Sequence, residues 1–322
     1  MRDLAKLPKV HLHVHLESTI RVATLRELGV EVPDVPPRFT GFRAFADHNT
    51  AIRECLRTRA DFVRVAREFC ADEAAQGTRY AEVTFTAAAH GERLGDPDLP
   101  LTAVLEGLAL GRAEHGLECR VLLDHSRRRP VERAAASLRL AERYAPEVAG
   151  IGLAGDEDHP VEPFAGVFAA ARDAGLHVVH HAGETAGPAS IRAAIGPGRA
   201  ERIGHGIRVL DDPALVAEVR DRGIALEVCP SSNVTLGLVP SLSAHPLPRL
   251  RDAGLAVTVS TDIPNLTGRS LTAELTAIRD TFGFGDADFA ALNRAAIDAS
   301  FAPPATKRRL HAETDAWLAG SP

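Results

Sequence analysis

Three observations predict a (β/α)8, or TIM, barrel. Eight short apolar runs recur along the chain, most of them followed by an amphipathic stretch rich in Ala, Leu, Glu and Arg. Histidines and an aspartate fall where several of those runs end, which is where barrel enzymes carry their chemistry. No Gly/Ser linker or shift of composition divides the 322 residues, so the sequence reads as one domain over 1–322. A doubly wound open sheet is the other arrangement that alternating β/α units admit.

The first strand is the apolar run Lys9-Val10-His11-Leu12-His13-Val14-His15-Leu16-Glu17. Its alternation predicts His11, His13 and His15 on one face and Leu12, Val14 and Leu16 on the other. Each buried ring nitrogen needs a partner, and a cation satisfies two at once. His13 and His15 aim two nitrogens, roughly 6–7 Å apart along a strand, at a single point. His11, one step deeper on the same face, reads as a core histidine.

A mostly helical insertion is predicted from about 18 to 78, with apolar positions at Leu25, Leu28, Phe45, Ile52, Leu56, Phe62, Val65 and Phe69. Phe39, Phe42 and Phe45 form either a lid or the core of that insertion. Further strands are predicted at 80–85, 120–124, 150–153, 177–181, 202–204, 225–228 and 257–260. Helices are expected near 101–115, 131–144, 162–174, 188–196, 213–222 and 243–253, with two more near 271–281 and 286–299.

A composition of 45% hydrophobic and 25% charged residues is that of a soluble globular enzyme. The net charge of −6 disfavours nucleic acid or an anionic membrane as partner, because counterion release requires clustered positive charge. Arg127-Arg128-Arg129 is the one basic run and reads as a solvated loop. Neither a signal-peptide core nor an apolar stretch of membrane-spanning length occurs, so a cytoplasmic location is expected. Cys55, Cys70, Cys119 and Cys229 stand far apart and read as reduced core thiols.

Four polar residues close predicted strands: His13 and His15 the first, His181 the fifth, and Asp262 follows the eighth. Barrel closure sets the first and eighth strands side by side, bringing Asp262 next to the histidine pair. A His₃Asp set is a sensible inventory for one zinc ion with a water in the remaining position. His205 follows the sixth strand at the same end, and His180, of opposite facing to His181, reads as packing.

The ordered motifs His13-Val-His15, Leu153-Ala-Gly155-Asp-Glu, His181-Ala-Gly183-Glu184, Arg202-Ile-Gly-His205-Gly, Glu227-Val-Cys-Pro-Ser-Ser-Asn233 and Ser260-Thr-Asp262 resemble those of the adenosine deaminase family, within the amidohydrolase superfamily. The resemblance runs from about residue 7 to 310. It implies one zinc ion per chain and hydrolytic loss of ammonia from a purine-like ring, with a small purine-like molecule as partner. It further implies that Asp262 orients the water and takes its proton, and that His205 helps deprotonate it or stabilises the charge that develops. Glu184 would donate a proton to the ring nitrogen, N1 in adenine, and Gly155 would offer its N–H to the purine. Glu17, Ser18, Gly183 and Ile263 complete the expected substrate-binding set. Ser231, Ser232 and Asn233, after the seventh strand, are read as ordering their loop.

Departures from the family pattern concern the substrate. Typical members carry Thr-Asp-Asp-Pro where this chain has Thr261-Asp262-Ile263-Pro264, and Ile263 cannot bond purine N7. Typical members also carry His-Leu-Asp-Gly where this chain has His15-Leu16-Glu17-Ser18, which reshapes the ribose end. The expected substrate is therefore adenosine, adenine or a modified derivative, with a non-purine amino-heterocycle as the alternative. A binuclear amidohydrolase would need a barrel lysine, and none lies between Lys9 and Lys307. Cytidine-deaminase-like enzymes need Pro-Cys-x-x-Cys, which is missing. A non-catalytic nucleoside-binding relative would be expected to have lost a ligand or the acid, and all are present.

Overall fold

In a computed structural model, residues 1–31, 36, 38–39, 44 and 52–320 are described. Eight strands form the sheet: β1 (Lys9–His15), β2 (Thr78–Phe85), β3 (Glu118–Ser126), β4 (Val148–Ala154), β5 (His177–Ala182), β6 (Arg202–His205), β7 (Ala225–Val228) and β8 (Val257–Val259). All pair in parallel and in sequence order. A single parallel bridge between Val14 and Asp262 joins the two ends. There the His15 N–H donates to Asp262 O at 2.9 Å and the Asp262 N–H to His13 O at 3.0 Å. The barrel is thus closed by the residues expected to share a metal.

The predicted strands all form: β2 to β6 run one to four residues beyond their predicted spans, β7 matches its span, and β1 and β8 end short of theirs. Their outward side chains pack on the surrounding helices, as Leu226, Val228, Val257 and Val259 do in one cluster with Leu215, Val219, Leu247 and Leu250. The predicted helices appear as α4 (Leu99–His115), α5 (Val131–Arg143), α6 (Ala165–Asp173), α7 (Pro188–Ile195), α8 (Pro213–Asp221), α10 (Leu247–Asp252), α12 (Leu271–Phe282) and α13 (Asp286–Ala299). Four others had no counterpart in the sequence reading: α3 (Ala87–Leu94), α9 (Pro230–Thr235), α11 (Pro264–Thr267) and the C-terminal α14 (Pro304–Ala319). The first three follow strands directly. Two of them, of six and four residues, are too short to show a helical period. No helix among the described residues is long and apolar enough to cross a membrane.

Between β1 and β2 the described part of the insertion holds a 3₁₀ turn over Leu16–Thr19, α1 (Val22–Glu27) and α2 (Arg59–Ala75). A capping box starts α2, the Thr58 hydroxyl accepting from the Asp61 N–H and the Asp61 carboxylate from the Thr58 N–H. Phe42 and Phe45 lie outside the described residues. Phe39 is buried, and its N–H donates to Thr235 O at 2.9 Å, tying this segment to the end of α9.

One expectation is overturned in β1. The register slips between His11 and Val14, three steps on β1 against two on β2, from Ala81 to Val83. A bulge of this kind breaks the period-2 alternation. His11 consequently does not share a face with His13. Its Nδ1 lies 3.1 Å from Glu73 on α2 and its Nε2 accepts from Thr261, while His13 reaches across the barrel to Glu227 on β7. His11 is a core histidine, as expected, but it serves the barrel's helix-facing side.

Beneath His13 the lumen is ionic. Arg202 is buried, its Nε 2.6 Å from Glu227 Oε1 and its Nη2 2.5 Å from Glu82 Oε2. Phe301 closes the group, with its ring centroid 3.8 Å from the guanidinium and its N–H on Glu82. Removing one partner of a buried ion pair leaves an uncompensated charge and costs about 3–5 kcal/mol. Glu82→Ala is therefore expected to lower unfolding free energy by about that amount in a denaturant melt; a loss below about 1 kcal/mol would contradict this view of the network.

Candidate active site

At the C-terminal ends of the strands, His13, His15, His181 and Asp262 converge, with one potential ligand atom from each lying within 4.8 Å of the others. The hydrogen bonds around each ring fix what it offers. His13 Nδ1 donates to Glu227 Oε2 at 2.9 Å, leaving a lone pair on Nε2, which is buried without a partner. His181 Nδ1 donates to Leu153 O at 3.2 Å, so its Nε2 also presents a lone pair. That atom is 3.2 Å from His15 Nε2, and His15 Nδ1 is 3.8 Å from Asp124 Oδ2. Asp262 Oδ1 stands 3.5 Å from His13 Nε2 and 3.4 Å from His15 Nε2, while its Oδ2 accepts from the Ser232 hydroxyl at 2.5 Å. Lone pairs and a carboxylate oxygen pointed at one spot call for a positive charge.

Electrostatics say the same. Burial works to lower the His13 pKa, but hydrogen bonds and charges from Asp262 and Glu227 outweigh it and carry it up to about 10. The ring sits between two carboxylates and holds a proton unless a cation replaces it. Asp262 is held well below the ordinary carboxylate range: burial opposes its ionisation, and the bond to His13 with the charges of the neighbouring histidines overrides that. His181 is pushed well down by burial and by the other histidines, so it stays neutral as a ligand must. These donors fit a divalent metal, and three imidazoles with one carboxylate suit zinc chemistry.

Glu184 and His205 face the same space. Glu184 Oε1 and His205 Nε2 are both buried without hydrogen-bond partners and lie 3.6 Å apart. Together with Asp262 they form a second convergent group. Burial first, then the Asp262 and Glu157 carboxylates, raise the Glu184 pKa well above its ordinary value, keeping it a proton donor. Burial and the charge of His13 press His205 down to about 3. The backbones of His205 and Asp262 have φ of 66° and 60°, the left-handed region that non-glycine residues rarely adopt and that marks functional sites.

Two glycines give the site its room. A Cβ on Gly204, beside His13 in the lumen, would lie 2.7 Å from His13 Cε1. Gly183 has φ of 66°, and a Cβ there would strike Ile191 at 2.4 Å. The loop after β5 that carries Glu184 is held by Glu157, whose carboxylate accepts from the N–H groups of Gly183, Glu184 and Thr185 at 2.7–2.8 Å. The Gly183 N–H is thus engaged by the protein itself.

The remaining expected substrate residues are placed less uniformly. Gly155 follows β4 at the mouth. Glu17 is buried, and its Oε1 accepts from the Thr86 N–H at 3.1 Å and from His90 Nε2 at 3.2 Å. Ser18 is fully buried with an unpartnered hydroxyl. Ile263 is 1% exposed and belongs to the apolar cluster that includes Val14, Leu16 and Leu266. His180 packs against Phe168, donating from Nε2 to Gly198 O, in keeping with its sequence reading.

Several residues around the site carried no assigned role in the sequence. Glu227 had a visible signal, a carboxylate inside an otherwise apolar strand. Ser232 and Asn233 were read as ordering a loop, and they contact Asp262 and His205 directly. Glu157 closed the Leu153-Ala-Gly155-Asp-Glu motif without a role, and Asp124 and His245 gave no local signal, since their significance lies in contacts from distant segments.

This geometry fits a metal-dependent enzyme of the (β/α)8 barrel class. The adenosine deaminase family model matches residues 8–317, and the chain belongs to that family. It is 36% identical over 315 residues to an adenine deaminase of Rhizobium johnstonii, covering 94% of this chain and 98% of that protein. The crystal structure of an adenine deaminase from Arthrobacter aurescens superposes with a TM-score of 0.91 at 29% identity, covering 97% and 99% of the two chains. An amidohydrolase from Burkholderia ambifaria, solved with bound Zn, gives 0.88 at 26% identity over 98% of this chain and 91% of its own. The protein is a hydrolytic deaminase acting on C–N bonds.

Proposed function

We propose that the chain is a zinc-dependent hydrolytic deaminase of an adenine-like purine, replacing the ring amino group by oxygen and releasing ammonia. The observation that carries this is the meeting of four ligand atoms with the unpartnered Glu184 Oε1 and His205 Nε2 at one barrel mouth. His13, His15, His181 and Asp262 would hold one zinc ion, which when bound supplies a Lewis acid that makes water nucleophilic at neutral pH. Asp262 Oδ1 orients the attacking water and accepts its proton. Glu184, protonated, delivers its proton to the ring nitrogen beside the amino-bearing carbon and draws electron density from that carbon. A C–O bond forms, the proton taken up by Asp262 passes to the amino nitrogen, the C–N bond breaks as ammonia leaves, and the proton of the new hydroxyl restores Glu184. Gly155 meets the base edge with its N–H, and His205 faces the incoming oxygen.

Within this class we infer a free or altered base in preference to intact adenosine. An altered base is supported by Ile263, which is apolar where an N7 partner would stand, and a free base by Glu17, one of whose oxygens is committed to Thr86 and His90. Ser18 adds a side chain at a position where a glycine is usual. Two of the named relatives are adenine deaminases. Leaving a buried polar group of the substrate without its hydrogen-bond partner costs about 1–3 kcal/mol, roughly one to two powers of ten in kcat/KM. The test is ammonia release from adenine, adenosine, deoxyadenosine, 6-substituted purines and 7-deaza analogues. Adenosine is expected to trail the free base or an N7-altered base by at least tenfold. Adenosine above about 10⁵ M⁻¹s⁻¹ and ahead of the panel would overturn the preference, and no ammonia from any purine would overturn the class.

A further inference from the structure

His205 can present either a lone pair or an N–H to the reacting atoms, and the choice decides what it can do. A chain of three buried side chains makes that choice. The backbone N–H of Leu247 donates to His245 Nδ1 at 3.1 Å. An amide N–H can only donate, so Nδ1 is the acceptor and the His245 proton sits on Nε2. That Nε2–H donates to Asn233 Oδ1 at 3.1 Å, which orients the amide and turns its NH₂ toward His205 Nδ1 at 3.3 Å. His205 Nδ1 must then accept. Its remaining proton stands on Nε2, the atom without a protein hydrogen-bond partner, 3.6 Å from Glu184 Oε1. Exposure is 1% for His205, 0% for Asn233 and 3% for His245, so the three side chains are shielded from bulk solvent.

We propose that Asn233 and His245 are positioning residues that fix His205 as an Nε2–H donor aimed at the attacking oxygen. The proposal rests on the deaminase reading for its chemistry. A donor there stabilises the negative charge that develops on the oxygen and cannot remove a proton, which leaves Asp262 as the acceptor. His245, in the loop before α10, is thereby coupled to the reaction through two hydrogen bonds without touching the substrate.

Asn233→Asp tests the assignment with almost no change of shape. A carboxylate only accepts, so it would draw the His205 proton to Nδ1 and present a lone pair at Nε2. Loss of an oriented donor of this kind lowers kcat about 10²–10³-fold, and KM, metal content and thermal midpoint are expected to stay near the parent's. His245→Gln, which keeps a side-chain N–H for Asn233 Oδ1, is expected to retain more kcat than His245→Leu. Nitrogen-15 spectra of histidine-labelled, zinc-loaded enzyme read the tautomer directly, with the His205 signals assigned by their loss in His205→Gln. The parent should show the protonated shift at Nε2, and Asn233→Asp should show it at Nδ1. A protonated Nδ1 in the parent, or Asn233→Asp turning over within threefold of it, overturns the proposal. Should no purine be deaminated, the functional reading fails while the spectra still decide the tautomer.

Discussion

Glu184→Gln is expected to lower kcat by about 10²–10⁴-fold, the usual worth of a positioned general acid. Gln keeps the shape of the side chain, and the loop that presents it stays anchored, because the N–H groups of residues 183–185 are held by Glu157. Metal content and thermal midpoint should therefore match the parent. What is lost is the proton. Burial together with the Asp262 and Glu157 carboxylates holds Glu184 in its acid form above the pH at which a solvated carboxyl ionises. The sign for activity follows: the acid persists at neutral pH, and kcat falls as pH rises through the elevated pKa. Steady-state rates across pH with the best substrate check both points. Turnover of Glu184→Gln within about threefold of the parent would end the acid assignment.

Much of the frame was legible because it depends on local pattern. The apolar runs of β2 to β8 are short and sharply bounded, and their C-terminal polar residues fall where a barrel sheet must point them. His181 and Asp262 could be placed beside His13 and His15 from strand order alone. The bulge in β1 was not legible, since Lys9 to His15 alternates as well as any regular strand and the slip is set by pairing with Ala81 and Val83. The partners behind the ligands were hidden for a similar reason. Asp124, Glu157, Glu227 and His245 act through contacts spanning 12 to 214 residues. In one sequence Asp124 and His245 look like any others of their type, and Glu157 and Glu227 stand in motifs that do not say what they hold. Their effect is to fix tautomers and loop positions, which the bare ligand set does not specify.

That arrangement predicts a graded response to metal loss. His15→Ala and Asp262→Ala each delete one of the four converging atoms, and both are expected to leave the purified protein with little metal and no measurable turnover. Asp262→Ala does more than its sibling. It removes a ligand and the proton acceptor, and it places alanine at a φ of 60°, which aspartate tolerates better. Glu227→Gln leaves every ligand in place and weakens the bond that keeps the His13 Nε2 lone pair directed at the site, together with the buried ion pair to Arg202. Loss of such an outer partner weakens metal binding about 10–100-fold, so Glu227→Gln should purify partly loaded and regain turnover as zinc is added. Metal analysis of the purified parent and the three variants, followed by zinc titration of ammonia release, checks the whole series. Near-stoichiometric metal persisting in both His15→Ala and Asp262→Ala would overturn the ligand assignment.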